Sequence, residues 1–447
     1  SNIKAHLYKQ VLASLRLIKD ETNIDLQLHE WMDHARILYN KGLYLQALKA
    51  IKQLKELARQ HQQLTYLQQA LFFEKKIESL YITRSMQDRA EKLTLESTQV
   101  NEQVTLINKL SNLALSLYSW YIQNGHARNQ RDVANVQSFF QDNLPADAVL
   151  AKGFYEKIYL YQAYSWYAFI RLDFLQYYRY CQKWVDLFQA NPEMLAVETA
   201  AYIKGMHNLM SAHFDLMNHE KLAESIKKFE AFAKSPLVVQ NDNNRILTYQ
   251  YLYTARINLY FLQGTFNKGL LMVPHLEAML KEYGIYLDTH RVLVFYYKIA
   301  CLYFGSGDNE RAIDYLNRII QNKSDLRTDL QCYARLLHLI AHYELGNFDL
   351  LEYLIKSVYR YMAKMENLSK VEEEMFAFLR KSFRLGAHAL KPEFQKLLKK
   401  LRKYEGNPLE ARAFAYLDVI SWLESKINNV NVQDVIREKY GDRKLKH

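Results

Sequence analysis

The sequence predicts an all-α protein assembled from helix hairpins. Glycine and proline are scarce, 13 and 6 in 447 residues, too few turn formers for a many-stranded β fold. Leu, Ala, Lys, Gln and Glu dominate, and these are strong helix formers. A third observation is a spacing that returns along the chain. In YYKIACLYFGSGDNERAIDYL, from Tyr296 to Leu316, the residues Ala300, Tyr303, Gly307, Ala312 and Leu316 stand where one helix ends and the next begins, and the break is expected at Gly305 and Gly307.

The segment WMDHARILYNKGLYLQALKAI repeats the arrangement with Trp31, Ala35, Leu38, Gly42, Tyr44, Ala47 and Ile51. Two antiparallel helices approach closely only where small side chains face each other, with aromatic neighbours filling the flanks. A Gly or Asn then closes the first helix in the left-handed conformation. The pattern of bulky, small, aromatic, Gly and Ala positions resembles the tetratricopeptide repeat. That resemblance implies a right-handed superhelical α-solenoid of antiparallel helix hairpins, with a concave face that binds a peptide or protein segment.

Weaker copies place turns at Gly346 and Asn347, Gly264, Asn218, Leu172 and Asp173, and Gly125, with a further turn near Thr83. These steps of roughly 40 to 47 residues exceed the 34 of the standard repeat. A hairpin from Lys370 to about Tyr404 is expected to break at Lys391-Pro392, since proline is tolerated at a helix start and not inside. A final helix from about Pro408 to Lys426 caps the stack. The resulting organisation is an N-terminal helix in residues 1–20, opening on Ser1-Asn2 that reads as a cloning remnant. One solenoid of about eight or nine hairpins then fills 21–430, and 431–447 is a basic C-terminal tail.

Formal charge is +11, and from Arg380 onward 16 Lys or Arg face 8 Asp or Glu, so most of the excess sits there. Cys181, Cys301 and Cys332 are odd in number and far apart, which reads as reduced thiols in helices and favours the cytoplasm. No apolar run reaches the roughly 18 to 20 residues of a membrane helix.

No catalytic constellation emerges, and the expectation is a protein that is not an enzyme and carries no cofactor or metal. His338 and His342 in HLIAH are one turn apart but lack the Glu of a zinc-protease motif, and they read as packing residues. His29 and His34 are five apart, and His207, His213 and His219 step by six; neither series keeps to one face, so both read as surface or packing residues. The GSG at Gly305 to Gly307 lacks the Lys and Ser or Thr of a phosphate loop and reads as a turn. The run containing Lys396, Lys399, Lys400, Arg402 and Lys403 has the charge to attract nucleic acid or an anionic membrane. Interrupting acids such as Glu405 and Glu410, with leucines at core spacing, favour a solvated outer face.

The 34 tyrosines are the most informative excess. In the family resembled, the first helix of each hairpin lines the concave groove. The matching register implies Tyr159, Gln162 and Trp166, then Asn208 and Asp215, then Tyr251, Thr254, Asn258 and Phe261, then Val294, Tyr297 and Cys301, then Tyr333 and Tyr343. Tyr and Trp give large contact area at small entropic cost, and Asn pairs with both polar groups of an extended backbone. Few Lys or Arg stand at these positions, which argues against a carboxylate clamp. Such a face either binds a partly apolar peptide or packs on itself. An open groove requires Tyr251, Asn258, Tyr297 and Tyr333 to be solvent-accessible; their mutual burial excludes peptide binding at those residues. The expected role is a scaffold or adaptor for a protein or peptide segment, and surface aromatics are compatible with a homodimer. The alternatives are a nucleic-acid-associated protein acting through the basic C-terminal surface, and a peptide-sensing regulator.

Overall fold

The computed structural model describes residues 2–17, 23–80, 87–284, 286–322, 328–365, 368–382, 385, 387–407, 409–410 and 418–444. Among them there is no β-strand, and the chain is all-α. The helices are α1 (Asn2–Leu17), α2 (Ile24–Asn40), α3 (Tyr44–Gln60), α4 (Leu64–Leu80), α5 (Gln87–Asn124), α6 (Gln130–Asn143), α7 (Phe154–Ile170) and α8 (Phe174–Ala190). There follow α9 (Met194–Val197), α10 (Thr199–Asp215), α11 (His219–Phe232), α12 (Pro236–Val239), α13 (Asp242–Gln263), α14 (Phe266–Leu270), α15 (Val273–Tyr283) and α16 (Thr289–Ser306). The last are α17 (Asn309–Ile320), α18 (Thr328–Glu344), α19 (Phe348–Lys364), α20 (Lys370–Ser382), α21 (Ala387–Leu401), α22 (Val419–Asn428) and α23 (Val432–Lys444). Two compact units result, one of Ser1–Asn112, Pro145–Leu160 and Leu187–Thr199, the other of Leu113–Leu144, Tyr161–Asp186 and Ala200–His447.

The hairpin turns fall where the small and turn residues require them. Gly42, Gly125, Gly264, Gly307 and Gly346 all have positive φ, as do Leu172 and Met217. Gly305 remains inside α16, with the Phe266 ring 2.6 Å from where a Cβ would stand, and the break comes only at Gly307, whose φ of 93° is left-handed. Asn218 does not itself take the left-handed turn. Met217 does, and the Asn218 side chain caps α11 by accepting from the Lys221 amide at 3.1 Å. Ala35, Ala47, Ala300 and Ala312 are fully buried, as close helix approach demands. The turn expected near Thr83 lies outside the described residues.

Met217 is an exposed non-glycine at φ 56°. A side chain there costs about 1 kcal/mol against glycine. Met217→Gly is therefore expected to stabilise the second unit by about that amount, read as a rise in the denaturation midpoint. A lower midpoint would mean that the Met217 contacts outweigh the backbone strain.

In the first unit a part-buried ion network ties three helices together. Lys55 on α3 donates to Glu74 on α4 and to Glu96 on α5, both at 2.8 Å. Arg59 joins Glu96, and Arg89 joins Glu74 and Glu78. The cations beside Glu96 hold its carboxyl below the usual range against the opposing effect of burial.

Two sequence expectations are corrected in the second unit. Pro392 does not break the chain; α21 runs through it from Ala387 to Leu401. The proline forgoes one intrahelical bond near the helix start, and the burial of Phe394, Leu397 and Leu401 offsets that loss. Residues 432–444, expected within a basic tail, form α23, which packs on α13 and α16. Its backbone lies so close to the Gly264 turn that a Cβ there would stand 2.5 Å from the Arg437 nitrogen and the Gln433 oxygen. Arg437 also donates to the Gly264 carbonyl at 3.2 Å, and Tyr440 meets the His219 ring edge-on at 4.6 Å.

Candidate functional site

The residues expected to line an open groove are largely covered. Tyr251, Asn258, Tyr297 and Tyr333 are only 8%, 5%, 5% and 1% exposed, and Asn208 and Tyr343 are buried too. An open groove presenting those four side chains is therefore not what the chain forms. Tyr343 sits in an aromatic core, edge-on to Phe348, Phe394 and Trp422. Tyr251 lies beneath the His207 ring, stacked at 3.9 Å with 11° between planes. Thr254, Trp166 and Tyr159 remain half-buried, and Tyr159 belongs to the first unit near Glu198.

A different set of side chains remains reachable on the same helices of the second unit. Lys204 and His207 on α10, and Arg291 and Lys298 on α16, are all half-buried. On α16 the positions 291, 294, 298 and 301 recur at the three- and four-residue steps of one helix face. The sequence register had picked Val294 and Cys301 from this stripe and missed Arg291 and Lys298, its cationic members. The signal was present as Arg291 and Lys298, seven residues or two turns apart on that face.

Each cation rests on rings or amides. The Lys204 ammonium lies over the Tyr118 ring at 5.2 Å and the Trp166 ring at 5.8 Å. Lys298 donates to the Asn258 side-chain oxygen at 2.6 Å and lies 5.6 Å above Phe261. Arg291 donates to the Gln250 side-chain oxygen at 2.8 Å and pairs with Asp288 at 2.9 Å. Among the described residues, neither Lys204 nor Lys298 has a carboxylate within ion-pair distance.

The electrostatics follow from this enclosure. Burial pushes the His207 imidazole down to about 3, with Arg291, Lys298 and Lys204 all adding repulsion, so the ring is neutral at physiological pH. Burial brings the Lys298 ammonium down to about 8. Asp215, at the end of α10, is pushed up to about 7 by burial, with Lys298 opposing, and its Oδ2 has no hydrogen-bond partner. The Cys301 thiol is pushed up to about 12, also by burial, which leaves it protonated and unreactive near neutrality.

His338 and His342 bring their Nε2 atoms to 3.3 Å, and burial lowers both. Among the described residues no group of three or more His, Cys, Asp or Glu is placed to hold a metal ion. No described helix is long and apolar enough to cross a membrane.

The C-terminal basic surface is largely neutralised by local acids. Lys396 pairs with Glu393 at 2.7 Å, Lys400 with Glu374 at 2.7 Å, and Arg402 with Glu424 at 2.6 Å. Lys381 and Lys439 take the second oxygens of Glu393 and Glu424. Lys399 and Lys403 stay exposed.

Fold and site together define an all-helical hairpin protein with a half-enclosed cationic and aromatic face. No protein-family model matches the chain, and no curated protein matches it.

Proposed function

We propose that the protein is a non-enzymatic scaffold or adaptor that holds a protein or peptide segment on the face formed by α7, α10, α13 and α16. In this reading the hairpins of the second unit stack as a right-handed superhelix of the tetratricopeptide kind, so that their first helices share one surface, and the protein works in the cytoplasm. The observation that carries it is the row Trp166, Lys204, His207, Thr254, Arg291 and Lys298. These side chains come from four helices, stay reachable by solvent, and are polar or aromatic where a purely structural face would be aliphatic. The buried tyrosines beneath them act as a rigid floor and do not contact the partner.

Blocking the face with bulk tests the reading whatever the partner's charge. The intact protein and a Thr254→Arg variant are used for affinity capture from a lysate, with thermal melts showing that both are folded. A discrete protein captured by the intact chain and reduced at least about tenfold by the blocked variant supports the face. Equal capture by both removes the binding surface from α13. Capture dominated by nucleic acid and lost with salt replaces this reading with the C-terminal basic surface.

A further inference from the structure

Two ring nitrogens that face each other need a proton or a metal ion between them, because bare lone pairs repel. On α18, His338 and His342 stand four residues apart on one helix face. Their Nε2 atoms are 3.3 Å apart, and the rings meet edge-on with centroids at 4.5 Å. An N–H donor usually sits closer to its acceptor, at about 2.9 to 3.0 Å. Two nitrogens on one tetrahedral zinc ion, each about 2.0 to 2.1 Å from it, stand about 3.3 to 3.4 Å apart.

A second observation concerns the orientation of the His342 ring. Asn347 occupies the N-cap of α19, yet its side chain makes no capping bond. Its amide reaches back to His342 Nδ1 at 2.9 Å. With the amide oxygen toward the ring, Asn347 accepts the Nδ1 proton and leaves the Nε2 lone pair directed at His338, which is how the outer partner of a metal-bound imidazole acts. Burial lowers both imidazoles, so both are neutral and able to ligate near pH 7. Arg335 adds repulsion at His338, but its guanidinium is taken up by the Gln331 side-chain oxygen at 2.6 Å and the Tyr361 ring at 4.1 Å.

From this geometry we propose that His338 and His342 form a two-imidazole site for a borderline divalent ion such as zinc. Among the described residues no third His, Cys, Asp or Glu joins them, so water completes the coordination, and half-buried His342 leaves the pair within reach of solvent. Imidazole nitrogens select zinc, nickel or copper over magnesium and calcium, which take oxygen ligands. The site shares no residue with the proposed partner face, so the two readings stand or fall separately.

The test titrates the full chain, freed of metal with a chelator that is then removed, with zinc chloride in a calorimeter and with magnesium chloride as the hard-cation control. Zinc is expected to bind one ion per chain at the pair, and magnesium is not. His338→Gln and His342→Gln are each expected to lose that binding, with metal-free melts showing that each variant is folded; the half-buried His342 position carries the test if the buried His338 position does not tolerate the change. Asn347→Ala is expected to weaken zinc binding about tenfold, and Asn347→Asp, whose carboxylate also accepts the Nδ1 proton, to retain it. A merely structural Asn347 would shift the melting temperature and leave the zinc affinity alone. No stoichiometric zinc binding, equal binding of magnesium, or one-to-one zinc binding that survives in His342→Gln overturns the proposal and leaves the pair as an N–H to N contact.

Discussion

Between about pH 5.5 and 4.5 the second unit is expected to lose about 2.7 kcal/mol of unfolding free energy, a slope of two protons. Burial holds His207 at about 3 and both His213 and His338 at about 4 in the folded chain. In the unfolded chain these imidazoles protonate near 6.5. Their folded values are depressed, so through this window the unfolded state binds three protons that the native state refuses. The resulting stability is complete above the unfolded value and is lost as the pH falls. Asp215 acts in the opposite sense. Raised to about 7 in the folded chain by burial, it holds a proton that the unfolded state has already released, and it cancels one of the three.

The measurement is urea denaturation followed by circular dichroism and tryptophan fluorescence at several pH values. His338→Leu removes one of the refused protons and is expected to halve the slope to about 1.4 kcal/mol per pH unit. An unchanged slope in that variant would mean that the acid sensitivity originates elsewhere.

Gly264→Ala is expected to cost about 3 kcal/mol and to release α23. The residue has φ 61°, where a Cβ adds about 1 kcal/mol of strain. The added Cβ would also stand 2.5 Å from two backbone atoms of α23, and backbone cannot move aside as a flexible side chain can. Gly307→Ala provides the comparison, since φ is 93° there but nothing lies within 4 Å of the Cβ position. Only the strain of about 1 kcal/mol is expected at Gly307. Limited proteolysis between Asn428 and Val432 should cut the Gly264 variant much faster than the Gly307 variant. Equal losses in the two would show that α23 contributes little at this turn.

Hairpin positions were legible because they depend on few residues. A glycine with positive φ, a buried alanine such as Ala35 or Ala312, and an aromatic between them are local requirements, and local requirements leave a spacing. The exposure of Tyr251 and Asn258 was not legible in the same way. It depends on which side chains of α10 and α16 lean over them, and His207 and Lys298 both do. Helical register groups side chains by face but cannot rank those on one face by height. Long residues such as Lys298 and Arg291 reach past the shorter ones and become the surface, while the tyrosines become its floor. Pro392 misled for a related reason. The local penalty of a proline is visible in a sequence, whereas the burial of Phe394 and Leu401 that outweighs it depends on the rest of the unit.

The contact of α23 with the Gly264 turn also sets an order of events in synthesis. Most helices of the second unit pack on neighbours made moments earlier, and such contacts close quickly because the intervening loop is short. The bond from Arg437 to the Gly264 carbonyl spans 173 positions. The α13 to α14 corner therefore emerges and waits, its carbonyl open to water, until residues 432–444 have been made and can cover it. A nascent chain halted before that point would carry formed hairpins with one uncovered corner, which is where a chaperone has both the time and the surface to bind.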